Sequence, residues 1–308
     1  MNGILIIDKP QGMTSFDVVS FLRKKTGIKK IGHSGTLDPM ATGVLPIFIG
    51  KATRIIEYSG IPDDPEAKIY RCGMKLGLET DTLDIWGTPL KNDSDKPEVK
   101  DKATIISVLN GFVGEGVQKP PMYSAVKIDG RKLYEYARKG IEVEEKKIKE
   151  RMIYIKQIHV NHINDDLNEV NFDVVCSKGV YVRTLCSDAG QKLGCGAVLN
   201  ELRRLKSDMF SIENAVSIDS IRDESIDNIK FLPIDTPLSW MPHFDLKEDL
   251  VRRFINGQKI EIAEIDGTDE IKNASLADLP VRVNNDDSFI GIGKIVGKTI
   301  LKPEKILY

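Results

Sequence analysis

Residues 32–45, GHSGTLDPMATGVL, hold three glycines and one proline in fourteen positions, with neither a helical nor a strand period. A loop over Ile31–Gly43 is therefore predicted. Gly32, Gly35 and Gly43 permit tight backbone geometry beside a ligand. Asp38 precedes Pro39, which biases its backbone away from helix. A carboxylate on such a loop can act as nucleophile or base. Taken alone, Asp-Pro in a glycine-rich loop is equally ordinary turn chemistry. His33 lies five residues before Asp38. A lone histidine is more often a structural hydrogen-bonder than a base or ligand.

Working outward, Gly3–Asp8 (GILIID) is a short apolar run and a predicted strand. Thr14 or Ser15 can cap a helix carrying Val18, Val19 and Leu22 on one face, stopped by Gly27. Val44–Ile49 and Ala67–Leu76 read as strands and Lys51–Tyr58 as a short helix. Asn92–Lys102 is polar and predicted to be an exposed loop. Ala103–Leu109 is predicted helical, as is Arg131–Lys139 with Asp129 as its cap and Gly140 as its stop. Ile153–Ile163 and Val170–Cys176 read as strands, and Tyr181–Leu193 as a helix. Past Pro233, Pro237 and Pro242 the texture changes to a short helix (Leu246–Ile255) and brief apolar pieces at 260–265, 279–283 and 289–295. That texture fits a small β-rich domain, with a boundary near residue 240.

The 308 residues are 41% hydrophobic and 29% charged, which suits a folded chain with ample core. The formal net charge of −2 gives no global field for nucleic acid, so any RNA contact must come from a local basic stripe. The four cysteines form no C-x-x-C pair and read as idle thiols of a reducing compartment. The apolar run at the N-terminus is too short for a signal peptide and no stretch approaches membrane-spanning length, so the expected location is the cytoplasm. Phosphate-loop, dinucleotide, H-E-x-x-H and G-x-S-x-G signatures are all missing from the sequence. His159 and His162 are three apart in a predicted strand, which would put them on opposite faces and argues against a metal pair.

Two further stretches carry chemistry-bearing residues. In CSKGVYVRTL (Cys176–Leu185), Tyr181 and Arg183 alternate around Val182 after a glycine. An arginine there can pair with a carboxylate or stack on a base, or simply face solvent. In KPPMYSAVKIDGRKLYEYARKG (Lys119–Gly140), Lys119, Lys127, Arg131, Lys132, Arg138 and Lys139 interleave with Tyr123, Tyr134 and Tyr136. Mixed cations and rings suit phosphate contact and base stacking, though charge runs are often just solvated faces. Arg23–Lys30, Lys51, Arg54, Arg203, Arg204 and Lys206 could extend a basic stripe if the fold gathers them.

Together these stretches resemble the bacterial-type tRNA pseudouridine synthase B family, whose members act on uridine 55 of the T loop. KPQGMTS (Lys9–Ser15), GHSGTLDPMATGVL, YRCGMKLGLETDTLDIWG (Tyr70–Gly87), the Lys119–Glu144 segment and CSKGVYVRTLCSDAG followed by LRRL (Leu202–Leu205) match its motifs in order, over residues 3–240. Ordered motifs are far more specific than any one alone. The resemblance implies an α+β pseudouridine synthase fold with a large, mixed, mainly antiparallel central sheet over residues 1–240. It also implies an RNA-contacting segment at about 118–144. The tail, with FIGIGKI and LKPEKIL, resembles a small β-rich PUA-like RNA-binding domain over 241–308.

The resemblance also carries roles. Asp38 matches the essential aspartate, Tyr70 the aromatic that stacks on the target uracil and can take its C5 proton, and Arg183 the arginine that pairs with the aspartate. Tyr181 matches a pocket residue, His33 the histidine that helps hold the flipped RNA, and Leu202 an apolar wall. Lys9 and Pro10 match residues under the site; Lys127 and Arg131 fall in the RNA-contacting segment. Val180 stands where a threonine is commoner. No cofactor and no metal are implied, since the reaction neither oxidises nor hydrolyses. The implied partner is the T stem-loop of tRNA, bound by a monomer that needs no protein partner. Two other readings stay open: a guide-RNA-dependent synthase subunit, and a non-catalytic RNA-binding or tRNA-folding protein. A glycosidase is disfavoured because the loop offers a single carboxylate.

Overall fold

The computed structural model describes residues 1–90, 101–225, 228–266, 279–286 and 288–308. In chain order the first half comprises β1 (Gly3–Lys9), α1 (Ser15–Thr26), β2 (Ile31–His33), β3 (Thr42–Ile49), β4 (Lys68–Leu76), α2 (Lys102–Asn110), β5 (Gly114–Gln118), β6 (Lys127–Ile128), β7 (Arg131–Lys132) and α3 (Leu133–Arg138). There follow β8 (Arg151–Ile163), β9 (Glu169–Cys176), α4 (Val182–Leu193), β10 (Ala197–Ser207), β11 (Phe210–Ser211), β12 (Val216–Ser217) and α5 (Ile218–Asp223). The tail holds β13 (His243–Asp245), α6 (Glu248–Ile255), β14 (Ile260–Glu261), β15 (Pro280–Asn285), β16 (Ser288–Val296) and β17 (Ile300–Ile306).

Among the described residues, ten strands form one sheet of order β12-β1-β3-β10-β4-β9-β8-β5, with β2 added to β3 and β11 to β10. Only β1–β12 and β3–β10 pair in parallel; the rest is antiparallel. A second sheet, β13-β15-β16-β17-β14, makes the tail a β-rich unit with its own buried cluster around Phe244, Phe254, Val281 and Leu301. The main core lies on the sheet face covered by α1, α2 and α4, and gathers Val18, Leu22, Ile47, Cys72, Phe172, Leu185 and Leu199. Strand alternation explains this face. Tyr70, Cys72 and Met74 point into it, while Arg71 points away and pairs with Asp173.

The two halves of the sheet meet at one short joint, where Thr42 and Gly43 of β3 lie beside Arg203 and Arg204 of β10. Gly43 has φ +99°, and a Cβ there would lie 2.2 Å from the Arg204 carbonyl oxygen. Only glycine fits such an approach of backbone to backbone. Gly43→Ala should therefore cost about 2–3 kcal/mol of stability through strain and displacement of β10. A urea unfolding midpoint equal to that of wild type would show that the joint does not need the glycine.

The structure departs from the sequence-based expectations at several points. Ile31–His33 is a strand paired to β3, so His33 ends a strand rather than sharing Asp38's loop. Asp129 does not cap a helix: Asp129 (φ 50°) and Gly130 (φ 81°) form the two-residue turn of the β6–β7 hairpin, and α3 begins only at Leu133. Asp-Gly is the pair that supplies two positive φ angles for such a turn. A bulge at Asn161 puts His159 and His162 opposite Asp173 and Asn171, two residues apart on β9, and so on one face. Even so, no group of three or more potential metal ligands occurs among the described residues. Asn92–Lys100 lies outside the described residues. Gly50–Tyr58 is a 3₁₀ helix whose Lys51 and Arg54 donate to the carbonyls of Tyr308 and Ile306, clasping the last strand.

The core also sets a pH response. Burial pushes the thiols of Cys72, Cys176 and Cys186 upward, Cys176 to about 12, and the Tyr70 phenol to about 12. Once pH passes the ordinary thiol value of 9.0, the unfolded chain sheds protons that the fold retains, so stability falls with rising pH. Burial lowers Lys9 and Lys68 to about 8, which acts oppositely between about 8 and 10.5, because there the unfolded chain holds the extra protons. Above 10.5 only the thiol and phenol effect continues. The thermal midpoint should drop between pH 10.5 and 11.5, and less steeply in Cys72→Ala.

Candidate active site

Asp38 is fixed through both of its neighbours. Ser15, the first residue of α1, accepts from the Leu37 N–H (2.9 Å) and donates to the Leu37 carbonyl (3.1 Å). The Gly12 N–H donates to the Pro39 carbonyl at 2.8 Å. The turn carrying Gly12 is in turn tied by Lys9, whose buried ammonium donates to the carbonyls of Pro10 and Met13. Thr14 and Asp17 close a capping box that sets where α1 begins, and hence where Ser15 sits. The motif Lys9–Ser15 is thus the mount of the aspartate loop.

Arg183, on the first turn of α4 and only 5% exposed, brings its Nε to 2.9 Å from Asp38 Oδ2. Its Nη1 donates to the Thr82 carbonyl (2.9 Å) and its Nη2 to the Tyr123 carbonyl (2.8 Å). The guanidinium is therefore shared among three elements, and Asp38 receives a single ion-pair contact from it. Asp84 Oδ2 stands 3.9 Å from Nη1. Asp84 accepts from the Thr82 hydroxyl and the Trp86 N–H, and burial raises its carboxyl above the ordinary range. The Asp38 carboxylate is 35% exposed, open to a ligand and shielded on the arginine side. In a partly desolvated cleft such a pair is far stronger than in water.

Tyr70 on β4 faces Arg204 on β10 in the strand register. The Arg204 guanidinium is buried and donates to the carbonyls of Val44 and Gly35, which ties the loop's glycine to the sheet. Arg204 is therefore no part of a solvent-exposed basic stripe. Arg203 is bound through both nitrogens to Asp8. Tyr181 caps α4; its N–H donates to Gln118 Oε1 at 2.9 Å and its carbonyl accepts from Gln118 Nε2 at 3.3 Å.

A cavity of about 360 Å³ is lined by Asp38, Tyr70, Tyr181, Arg183 and Leu202 together, with Lys68, Tyr123 and Tyr134. A second, of about 600 Å³, shares Asp38, Arg183, Tyr123 and Tyr134 and adds His33 and Trp86. Asp38 and Arg183 thus line both hollows. His33 has a buried Nδ1 without a hydrogen-bond partner, and desolvation together with Arg204 and Lys132 holds its pKa down, which favours a neutral ring. Lys9 lies beneath the site rather than in it. Lys127 and Arg131 are exposed on the β6–β7 hairpin and line neither hollow; Lys132 and Arg138 supply the cations there instead.

Sequence reading missed Asp84 and Gln118 and placed Arg204 in a basic stripe. Asp84 lay inside a quoted motif, but nothing in its spacing ties it to an arginine 99 positions later. Arg204 was hidden because a cation in a basic run looks solvated. Asp208, which binds Lys68 at 2.8 Å and Lys178 at 3.0 Å, likewise gave no local signal.

The chain matches the family model described as "TruB family pseudouridylate synthase (N terminal domain)" over residues 23–182. It matches that of the "tRNA pseudouridylate synthase B C-terminal domain" over 183–238. It is 44% identical over 294 residues to the tRNA pseudouridine synthase B of Clostridium tetani, covering 96% of each chain. It is 46% identical over 264 residues to that of Alkaliphilus oremlandii, covering 84% of this chain and 83% of the relative. Among solved structures it resembles a chain of a Cbf5-Nop10-Gar1 complex, with TM-score 0.71 and 26% identity over 99% of this chain and 85% of that one. A chain of an H/ACA RNP bound to a substrate RNA shares the fold, with TM-score 0.69 and 23% identity over 99% of this chain and 85% of that one.

Proposed function

Because the chain belongs to the TruB family of pseudouridylate synthases, we propose that it isomerises uridine 55 in the T loop of tRNA to pseudouridine. We assign Asp38 as the essential carboxylate. The observation that carries the reading is the Arg183–Asp38 pair at 2.9 Å, opening onto a cavity walled by Tyr70, Tyr181 and Leu202. The reaction breaks N1–C1′, turns the uracil and joins C5 to C1′, with the C5 proton lost and N1 protonated. The base must leave its stack, which costs a few kcal/mol. Stacking on Tyr70 can offset about 1–3 kcal/mol of this. A phenol pushed up to about 12 is neutral at physiological pH and makes an uncharged stacking ring. Once C5 is bonded to C1′, loss of its proton restores the conjugated ring, so a weak acceptor suffices.

Asp38 can attack C1′, attack uracil C6 or remove the 2′ proton; each route needs an ionised carboxylate held at a fixed point. Arg183 holds the carboxylate from one side, and Lys9 and Ser15 fix the backbone around it. His33 would help hold the flipped RNA conformation, its ring neutral. Lys127 and Arg131 contact the backbone of the stem. We read residues 1–240 as the catalytic unit and 241–308 as a PUA-like RNA-binding unit of a cytoplasmic, monomeric enzyme. Tritium release from a T stem-loop labelled at uridine C5 tests this with the purified chain alone. Turnover that requires an added guide RNA or protein would move the chain to the guide-dependent class.

A further inference from the structure

The larger hollow carries two features that the isomerisation does not use. Trp86 is 54% exposed and Phe16 is 61% exposed, and both line it. A large ring left open to water inside a concave, polar-rimmed site marks a recognition surface. The backbone that carries Trp86 is also held in place. Its own N–H donates to Asp84 Oδ1, and the Ile85 and Gly87 N–H groups donate to the Leu199 and Asp84 carbonyls. Phe16 rides the first turn of α1, one residue past the Ser15 that grips Leu37, with the Arg23 guanidinium 5.7 Å from its ring centre. Lys132, Tyr134 and Arg138 line the same hollow, and both cations lie within 5.4 Å of the Tyr134 ring centre. Aromatic rings on a fixed backbone, beside cations, suit an unpaired nucleobase with its phosphates.

We propose that Trp86, with Phe16 as its companion wall, is a stacking platform for an RNA base adjoining the target nucleotide. This makes the second hollow a specificity element of the same site. The inference rests on the uridine-isomerising reading above, and its test separates the two. The chain has two tryptophans, Trp86 at the hollow and Trp240 packed elsewhere. Titrating wild type with the T stem-loop should quench part of the tryptophan emission, and Trp86→Phe, which still binds, should lose that part. In tritium release, Trp86→Ala should raise KM by about tenfold and change kcat much less, Phe16→Ala should raise KM several-fold, and Trp86→Phe should recover most of the loss. Emission unchanged at RNA concentrations where filter retention shows full binding would overturn the platform, as would Trp86→Ala with KM within twofold of wild type. Wild type that releases no tritium at any RNA concentration would instead overturn the reading beneath it.

Discussion

Asp38→Asn is expected to bind the T stem-loop about as tightly as wild type and to release no measurable tritium, a loss of about 10,000-fold or more in turnover. The substitution keeps the shape of the side chain. Its neighbours are held by Ser15 and Gly12 through backbone groups that the change does not touch. Arg183 keeps its bonds to the Thr82 and Tyr123 carbonyls and its proximity to Asp84, so it is not left without partners. What disappears is the negative charge and lone-pair basicity that every available route uses. The measurement is filter binding beside tritium release on the same preparation. Turnover within a hundredfold of wild type would remove Asp38 from the chemistry.

Arg183→Lys is the second large effect. A lysine has one ammonium to replace a planar group that now meets Asp38, Thr82 and Tyr123 in three directions. It can satisfy some of these and leaves the rest unmet in a buried setting. The aspartate loses its fixed partner, and a misplacement of about 1 Å at a reacting group can cost about a hundredfold. We expect kcat to fall by about 100-fold or more, with KM affected less and far-UV circular dichroism unchanged. A variant with kcat within fivefold of wild type would show that a point charge near Asp38 is enough.

Much of this was readable in the chain itself, for identifiable reasons. The strands β1, β4 and β9 and the helices α1 and α4 announce themselves by apolar runs, by period and, on α1, by the caps Thr14 and Gly27. Asp38, Tyr70, Tyr181, Arg183 and Leu202 were named by motif, and the fold brings them around one hollow. What stayed hidden depended on pairing across long separations. The strand β10 shows no alternation because two of its three basic residues are consumed, Arg203 by Asp8 on one face and Arg204 by two carbonyls on the other. The Asp129–Gly130 turn was mistaken for a cap since both roles use the same residue types. The bulge at Asn161 reverses the expected facing of His159 and His162, and no single-strand period can foresee an extra residue.

That the Asp38–Arg183 pair borders two adjoining recesses has a consequence for selectivity by size. A free nucleoside reaches fewer of the side chains around them than a longer chain does. Only a polymer that reaches into both can convert remote contacts into correct seating of its sugar. The cell's dissolved uridine and its phosphorylated forms would then pass by unaltered, without any dedicated gate to exclude them.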